Sequence, residues 1–470
     1  MTFTRSKIIC TIGPASSSPI ILKKLHTAGM NVARINMSHA THSSAKQIIE
    51  NINKINKEKN NKLSEIGILL DTQGPEIRTG DTSLPIDLKV GDKVTLTVRD
   101  EVDVETSSIK VNYKGLIHSV DVGSKISVDN GLISFKVLSK QSENLICKVV
   151  HGGKVGSKRH VNLPGVRLDM PSITSKDIKD INFGIKNNVD FIAASFVRNK
   201  KDLEVLDKML SKKKSTSKII AKIENQEGLD SIDEICELAW GIMVARGDLG
   251  IETSLTDLPN IQRKIMFSCA KWGKRSIVAT HLLESMINNP TPTRAEVTDV
   301  ANAVYEGADA LMLSGETSIG KHPVECVKFL KSISKKTEKF KTLGYEKELI
   351  TNSDWESIAV AAKNLSESIR ADGIIAVTRT GDTANFISNA KPKDIPIFTF
   401  TNNLNTLKQL SLIGSSIPFY VERLNNHDKT LDHIKKTLKI YYKKRKSLKL
   451  VMVSGIFSEK HSEAIQIINF

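Results

Sequence analysis

The chain has 470 residues, of which 40% are hydrophobic and 26% are charged, a composition typical of a globular protein with two or three domains. No run of about eighteen apolar residues occurs and the first residues lead directly into a strand pattern, so we expect no membrane span and no signal peptide, and a cytoplasmic location. The formal net charge of +16 is spread along the chain, and the lysine runs 212–214 and 443–446 lack interleaved aromatics, which argues against nucleic-acid binding.

The first 75 residues alternate between strand and helix patterns. Apolar runs at 7–12, 31–37 and 66–70 predict three strands. A helix capped by Ser17 or Ser18 separates the first two runs, and a helix over 43–57 separates the second from the third. Three successive β-α steps predict a parallel sheet.

The pattern changes between about residues 79 and 166, where no amphipathic helix is indicated. Short apolar runs dominate this segment, and turn signals such as Asp129-Asn130-Gly131 separate them. The segment therefore predicts a small all-β module inserted into the α/β domain.

From residue 172 onward the α/β pattern returns, with strands predicted near residues 192, 220, 243, 278 and 311. Together with the first three, these make eight strands, and a helix follows each except where the module intervenes. That arrangement predicts a (β/α)8 TIM barrel with an inserted all-β lid domain and a C-terminal α/β domain. The predicted boundaries are 1–73 and 167–343 for the barrel, 74–166 for a β-barrel lid, and 344–470 for the C-terminal domain.

The segment 219–250 is the richest in candidate chemistry. Its first strand ends at Lys222 and Glu224, and its second ends at Arg246, Gly247 and Asp248. Two carboxylates at strand ends can hold a divalent cation, and a lysine beside them can meet a phosphate or an enolate. Alone, the lysine and glutamate would be an ordinary surface pair, but the next strand repeats the pattern.

A barrel brings the carboxyl ends of all its strands to one face, so polar residues distant in sequence can converge there. The inserted module leaves from that same face and could act as a lid. The candidate convergent residues are Arg34, Asn36, Ser38, Asp71, Thr72, Lys222, Glu224, Asp248, Thr280 and Glu316.

Long motifs in this order resemble the pyruvate kinase family along nearly the whole chain. They are KIICTIGPAS (7–16), MNVARINMSHA (30–40), LLDTQGPEIRTG (69–80), VNLPG (161–165), AKIENQEG (221–228), IMVARGDLG (242–250), TPTRAEVTDVANAV (291–304) and MLSGET (312–317). The resemblance implies transfer of the phosphoryl group of phosphoenolpyruvate to ADP, giving pyruvate and ATP, the final step of glycolysis. It also favours a homotetramer.

The resemblance implies a role for each matched residue. Glu224 and Asp248 match ligands of Mg²⁺ (or Mn²⁺), and Lys222 matches the lysine that stabilises charge on the transferring group. The backbone amides of Gly247 and Asp248 would hold the substrate carboxylate. Thr280 matches the threonine near the carbon that gains a proton, and Arg34 would bind the phosphate.

Two further sets follow from the same resemblance. Asn36, Ser38, Asp71 and Thr72 match a K⁺ site, with Asn36 also counted among the nucleotide contacts. The remaining contacts to ADP or ATP would be His39, Arg78 and Lys158, the last from the lid.

Several positions depart from the family pattern. His281 stands where glutamine is common, and Asn130 and His160 replace the usual lid residues. Family members that need no K⁺ carry lysine where this chain has Glu76, which predicts a K⁺ requirement. The loop 378–383 opens a helix, so its backbone N–H groups could hold a phosphate or simply cap that helix. The loop 454–461 is not glycine-rich, and together with an acid at Asp382 this predicts weak or absent activation by sugar phosphates.

Two other functions remain to be weighed. A different (β/α)8 enzyme acting on phosphoenolpyruvate or pyruvate with Mg²⁺, such as a lyase, would leave the lid and C-terminal domain unexplained. A non-catalytic anion-binding protein of this fold is disfavoured because no catalytic position is lost.

Overall fold

A computed structural model describes residues 3–58, 65–99, 108–167, 169–422, 424, 427–442, 447–454 and 464–470. Eight parallel strands close into a barrel in chain order, the first pairing with both the second and the eighth. The predicted barrel is confirmed. Its strands are Lys7–Thr11, Val32–Asn36, Gly67–Asp71, Phe191–Ala194, Lys218–Ile223, Gly241–Ala245, Arg275–Ala279 and Ala310–Leu313.

Helices surround the barrel and bury their apolar faces against the outward-facing residues of the strands. The inward-facing residues form a second cluster, which includes Ile9, Leu69, Phe191 and Met243 together with Leu412 from the C-terminal part of the chain. The main helices are Pro19–Ala28, His42–Asn56, Ser175–Lys186, Lys200–Lys212, Gln226–Asp230, Ile232–Leu238, Arg246–Glu252, Leu258–Lys271, Arg294–Tyr305 and Pro323–Thr337.

The inserted domain follows the third barrel strand. Its described strands form a six-stranded sheet and a two-stranded sheet around a core of their own. One short helix, Leu116–Ser119, departs from the expectation of strands alone, because four residues are too few to produce a helical periodicity in the sequence. The strands are Ile86–Leu88, Lys93–Thr97, Ser108–Lys110, Lys125–Val128, Ile133–Lys140, Asn144–His151, Gly153–Val155 and Val161–Asn162.

The C-terminal domain is a five-stranded sheet with helices Asp354–Ser368, Asp382–Asn389, Leu404–Gln409 and His427–Tyr441. Four strands are parallel, and the last, Ala464–Asn469, is an antiparallel edge strand that the sequence analysis missed. In order across the sheet they are Ser416–Tyr420, Ile397–Thr401, Gly373–Val377, Lys449–Ser454 and Ala464–Asn469.

Buried charges join the C-terminal domain to the amino-terminal face of the barrel. Lys408 pairs with Asp190 at 3.1 Å, and Lys391 pairs with Asp309. The Lys7 ammonium donates to the backbone carbonyl of Ser416 at 2.5 Å. The face with the carboxyl ends of the strands therefore remains for the inserted domain. Among the described residues, no helix is long and apolar enough to cross a membrane.

Candidate active site

The period-2 alternation of each barrel strand explains how charged side chains reach the barrel interior. Val32, Ile220 and their equivalents form the apolar interior layer. Two residues further along the same face of these two strands come Arg34 and Lys222. The inward faces of these two strands are thus apolar towards their amino-terminal ends and charged at their carboxyl ends.

Lys222 is the centre of a buried cluster at that face. Its Nζ lies 2.8 Å from Ser195 Oγ, 2.9 Å from Glu224 Oε1 and 3.1 Å from Asp71 Oδ1. The Asp71 carboxylate also accepts a hydrogen bond from Arg34 Nε at 2.7 Å. One carboxylate therefore orients both cations that the sequence analysis assigned to the substrate.

The protonation states of this cluster follow from burial and pairing. Burial alone would lower the pKa of Lys222, but Asp71 and Glu224 outweigh it and raise that pKa, so the ammonium stays charged. Burial would raise the pKa of Asp71, but Lys222 and Arg34 together hold it below its usual value. Lys222 and Asp71 are therefore both charged, and the carboxylate holds the ammonium and the Arg34 guanidinium in place at this face of the barrel.

Glu224 and Asp248 lie next to each other at the ends of the fifth and sixth strands. Burial raises the pKa of both carboxyls, and the charge of Asp248 raises that of Glu224 further. Glu224 Oε2 also accepts a hydrogen bond from the backbone N–H of Phe196 at 2.5 Å. Two adjacent hard oxygen donors whose proximity is unfavourable without a counter-charge fit a divalent cation.

The described residues contain no group of three or more histidine, cysteine, aspartate or glutamate side chains placed to hold a metal ion. A cation held by Glu224 and Asp248 would thus have most of its coordination positions free. This donor set fits a catalytic Mg²⁺ completed by substrate oxygens better than a closed structural site.

Thr280 lies just beyond the seventh strand in a left-handed backbone conformation, with φ of 67°. Its Oγ1 accepts a hydrogen bond from the N–H of Gly247 at 2.9 Å and lies 2.6 Å from the carbonyl of Ala279, to which it donates. The Arg246 guanidinium holds the Thr280 carbonyl through Nη2 at 2.5 Å. The Gly247 amide, expected to bind substrate, is therefore engaged by Thr280 in this conformation.

The four residues of the predicted K⁺ site follow two adjacent strands. Asn36 and Asp71 are paired in register at the ends of the second and third strands. Asn36 Oδ1 accepts from the N–H of Ser38 at 3.1 Å, and the Thr72 carbonyl accepts from Ser195 Oγ at 2.7 Å. The structure thus gathers these oxygen donors beside the Arg34–Asp71 pair.

A cavity of about 370 Å³ lies between the barrel and the inserted domain. Its walls bring together nine of the predicted site residues: Arg34, Asn36, Ser38, His39, Arg78, Lys158, Lys222, Glu224 and Asp248. The inserted domain supplies Arg78 and Lys158, and it also places Asn130 and His160 in the wall. The departures from the family pattern in the inserted domain therefore face the site itself.

The cationic side chains of the inserted domain have acidic partners. Arg78 pairs with Glu76, with Nε 2.7 Å from Oε2, and Lys158 Nζ lies 3.5 Å from Asp81. Lys158 is largely exposed, as is His39 on the barrel side. A nucleotide phosphate would have to compete with these carboxylates for the two cations.

Glu316 was expected at the site but has a structural role instead. The Glu316 carboxylate accepts hydrogen bonds from the backbone amides of Leu283 (3.1 Å) and Ser314 (2.7 Å) and is fully buried. It fixes the loops after the seventh and eighth strands and does not line the cavity.

Ser195 and Phe196 belong to the site but were missed in the sequence. Ser195 Oγ contacts Lys222 and the Thr72 carbonyl, and the Phe196 N–H binds Glu224. The signal was available, because Phe191, Ala193 and Ser195 continue the inward-facing alternation of the fourth strand to its carboxyl end.

Comparisons with known proteins agree with this geometry. The family profile described as "Pyruvate kinase, barrel domain" matches residues 3–327, and "Pyruvate kinase, alpha/beta domain" matches residues 356–468. The chain belongs to the pyruvate kinase family. Pyruvate kinases are phosphotransferases, and the family is metal-dependent.

Individual relatives cover most of the chain. A pyruvate kinase of Dictyostelium discoideum is 41% identical over 469 residues, covering 97% of this chain and 92% of the relative. One from Staphylococcus saprophyticus is 42% identical over 91% of this chain and 74% of its own length. The crystal structure of a pyruvate kinase from Cryptosporidium parvum matches with a TM-score of 0.93 and 33% identity, covering 99% of this chain and 96% of that one.

Proposed function

We propose that the cavity between the barrel and the inserted domain transfers the phosphoryl group of phosphoenolpyruvate to ADP, giving pyruvate and ATP. The observation that carries this assignment is the Lys222 ammonium held among Asp71, Glu224 and Ser195 beside Arg34. Phosphoryl transfer needs positioning and charge neutralisation more than covalent catalysis, and this cluster supplies both.

In this assignment Arg34 binds the transferring phosphate with the part of its guanidinium that Asp71 does not occupy, and Lys222 stabilises charge on that group and on the enolate oxygen. Both side chains are oriented by the same buried carboxylate, so neither has to reorganise during the reaction. Glu224 and Asp248 would hold Mg²⁺ or Mn²⁺, which when bound supplies Lewis-acid charge stabilisation.

The enolate then gains a proton on carbon, and Thr280 is the residue that matches the threonine near that carbon in the family. A threonine hydroxyl is too weak an acid to be the ultimate donor, so we assign it to a relay that passes a proton from water to the carbon. In this conformation its Oγ1 accepts from the Gly247 amide and donates to the Ala279 carbonyl, so the hydroxyl would turn away from that carbonyl to take part in the relay. The Asp248 amide, one residue further, would hold the substrate carboxylate, and the Gly247 amide would join it by leaving Thr280.

The nucleotide is assigned to the outer part of the cavity, with contacts from Asn36, His39, Arg78 and Lys158, which all line its wall. The inserted domain would then act as a lid that closes over ADP. The boundaries proposed for this domain are residues 74–166, with the barrel over 1–73 and 167–343 and the C-terminal domain over 344–470. A cytoplasmic location and a homotetramer remain predictions.

An assay of pyruvate formation from phosphoenolpyruvate, with and without ADP, tests this function. Formation that depends on ADP and is matched by ATP is expected. Pyruvate formation without ADP would favour a lyase-type enzyme, and no turnover with intact phosphoenolpyruvate binding would favour the anion-binding alternative.

We further propose that turnover requires K⁺. Asn36, Ser38, Asp71 and Thr72 offer an all-oxygen site suited to a large monovalent ion beside the phosphate held by Arg34. The charge of Asp71 is already matched by Arg34 and Lys222, and Glu76 is matched by Arg78. A bound K⁺ would therefore act by adding positive charge beside the phosphate, and it would share Asn36 Oδ1 and the Thr72 carbonyl with the hydrogen bonds that these oxygens already accept from Ser38 and Ser195.

Turnover in K⁺ is expected to exceed turnover in Na⁺ or tetramethylammonium at equal ionic strength. Glu76→Lys should relieve the requirement in part, because its ammonium replaces the ion's charge. The substitution also removes the partner of Arg78, so the KM for ADP should change as well. Equal rates of the unmodified chain in all three salts would contradict the proposed site. The net charge of +16 does not replace the ion, because charges more than about 8–10 Å from the site are screened.

Sugar phosphates are expected to activate weakly or not at all. In the loop after strand Gly373–Val377, the Gly381 N–H donates to Thr378 Oγ1 at 2.9 Å and the Asp382 carboxylate accepts from Thr380 Oγ1 at 2.7 Å. The loop thus satisfies its own donors and carries an acid where an anion would bind. Most of the second loop, from Gly455, lies outside the described residues. A large fall in the half-saturating phosphoenolpyruvate concentration with a sugar mono- or bisphosphate, or with AMP, would contradict this expectation.

A further inference from the structure

The junction between the barrel and the inserted domain contains a buried carboxylate to which none of the roles above is assigned. Asp177, in the first turn of helix Ser175–Lys186, is 1% exposed. Its Oδ1 accepts hydrogen bonds from the backbone N–H groups of Gln73 (3.1 Å) and Gly74 (3.0 Å). Its Oδ2 accepts from the N–H of Thr174 (2.9 Å) and from Thr174 Oγ1 (2.6 Å).

These two oxygens serve the two places where the chain crosses between domains. Gln73 and Gly74 begin the path into the inserted domain, and Thr174 caps the first helix after the return. Helix capping needs one of the oxygens, as in any capping box. The other is devoted to the entry path, and bonds of this charge-assisted type are about twice as strong as neutral ones.

Ser195 and Phe196 pack tightly against the other side of the entry path. Gly74 has a φ of 75°, and a Cβ there would meet Ser195 Cβ at 2.8 Å and Phe196 Cδ2 at 2.9 Å. Just before Gln73, the carbonyl of Thr72 accepts a hydrogen bond from Ser195 Oγ. Asp177 on one side and the Ser195–Phe196 turn on the other therefore fix how the chain leaves the third strand.

Beyond Pro75 the entry path is paired with the return strand. The Val161 N–H donates to the Ile77 carbonyl at 2.8 Å, and the Thr79 N–H donates to the Arg159 carbonyl at 2.8 Å. Because the entry path and the return strand are hydrogen-bonded to each other, the direction that the chain takes at Gln73 and Gly74 also sets the orientation of the inserted domain. That direction decides where its cationic side chains stand over the barrel.

We propose that Asp177 is a positioning residue that anchors the entry path and thereby sets the inserted domain over the nucleotide part of the cavity. Asp177 does not touch substrate and acts through Gln73 and Gly74. The inference rests on the proposed nucleotide role of the inserted domain, and the two measurements below separate the anchor from that role.

The test is Asp177→Asn, which keeps the size of the side chain. An amide has one acceptor oxygen and no negative charge, so it cannot serve both the entry path and the helix cap, and any bond it keeps to the entry path is a weaker, neutral one. Amide hydrogen exchange at Gln73 and Gly74 is expected to be at least about tenfold faster, and the KM for ADP to rise about tenfold with a smaller change in kcat. Unchanged exchange at these two amides would overturn the proposal.

Thr174→Ala is the matched control. It removes a hydrogen bond from the same carboxylate and weakens the same helix start, but it leaves both bonds to the entry path. A lower Tm with unchanged KM for ADP is expected. If Thr174→Ala and Asp177→Asn both lower Tm and both leave the KM for ADP at the wild-type value, Asp177 acts only as a helix cap.

Faster exchange in Asp177→Asn at an unchanged KM for ADP would overturn the link to nucleotide binding. The KM for ADP of Lys158→Ala then shows whether the inserted domain binds nucleotide at all. If Asp177→Asn does not fold, Gly74→Ala disturbs the same path from the side of Ser195 and leaves Asp177 and the helix cap intact. Faster exchange at Gln73 with a wild-type KM for ADP in that variant would show that the direction of the entry path does not set nucleotide binding, which would overturn the proposal.

Discussion

Replacing Lys222 with methionine is expected to lower kcat by about 10²–10³-fold or more with little change in the binding of phosphoenolpyruvate, because a single preorganised donor to the transition state is commonly worth that much. Lys222 is the one cation in contact with both Asp71 and Glu224 among the described ion pairs. Its ammonium is held charged and in place before the substrate arrives, which is the condition for acting on the transition state.

The measurement is steady-state turnover with the KM for phosphoenolpyruvate, checked against the Tm of each variant. Removing one member of a buried charged cluster costs about 3–5 kcal/mol, so Lys222→Gln serves as a second variant that keeps a donor without the charge. Retention of more than about a tenth of the wild-type kcat by Lys222→Met would show that the assigned role is wrong.

Lys7→Met is the matched control for this prediction. Lys7 is also a buried lysine of the barrel, at the amino-terminal end of the first strand, where it donates to Ser416. Burial lowers the pKa of Lys7 to about 8, in contrast to the raised pKa of Lys222. Its loss should affect the contact with the C-terminal domain and stability, and leave the KM for phosphoenolpyruvate unchanged.

The sequence was sufficient to predict all eight barrel strands, because each is a buried apolar run, and a turn and a helix follow every one except the third, after which the inserted domain begins. It was insufficient where a helix is interrupted by packing. The helical spacing of Leu229, Ile232, Ile235 and Leu238 predicts one helix over 226–238, but in the structure it is broken at Ser231 into two short helices. Gly228 approaches the backbone so closely that a Cβ there would meet the Val197 carbonyl at 2.4 Å, and that contact is invisible to periodicity.

In the candidate site, too, the sequence predicted the local positions of residues but not the contacts between residues distant in the chain. Motifs placed Lys222, Glu224 and Asp248 correctly at strand ends, since strand ends are a local property. They could not show that Asp71 holds Lys222 and Arg34 together, or that Glu76 neutralises Arg78. Those pairings depend on barrel closure and on how the inserted domain docks, which single-sequence patterns do not encode.

The second large effect is expected at Asp248. Asp248→Asn removes one of two adjacent carboxylates and should lower kcat by about 10²–10³-fold while raising the half-saturating Mg²⁺ concentration, because a catalytic cation loses a charged ligand. Without metal the same change relieves repulsion, since the charge of Asp248 raises the pKa of Glu224 and burial raises the pKa of both. The metal-free variant should therefore be at least as stable as the unmodified chain.

Thermal unfolding with and without Mg²⁺ or Mn²⁺ separates these two effects, because an ion that binds only the folded state stabilises it by RT ln(1 + [ion]/Kd) and so raises Tm further as its concentration rises. We expect the ions to raise the Tm of the unmodified chain and not that of Asp248→Asn. Glu252→Gln is the control: Glu252 lies one helical turn beyond Asp248, is half-buried, and accepts a hydrogen bond from Asn162 of the inserted domain at 2.7 Å. It should keep the response of Tm to Mg²⁺. An equal rise of Tm in Asp248→Asn and the unmodified chain would mean that the cation binds elsewhere, and that the two carboxylates are close for another reason.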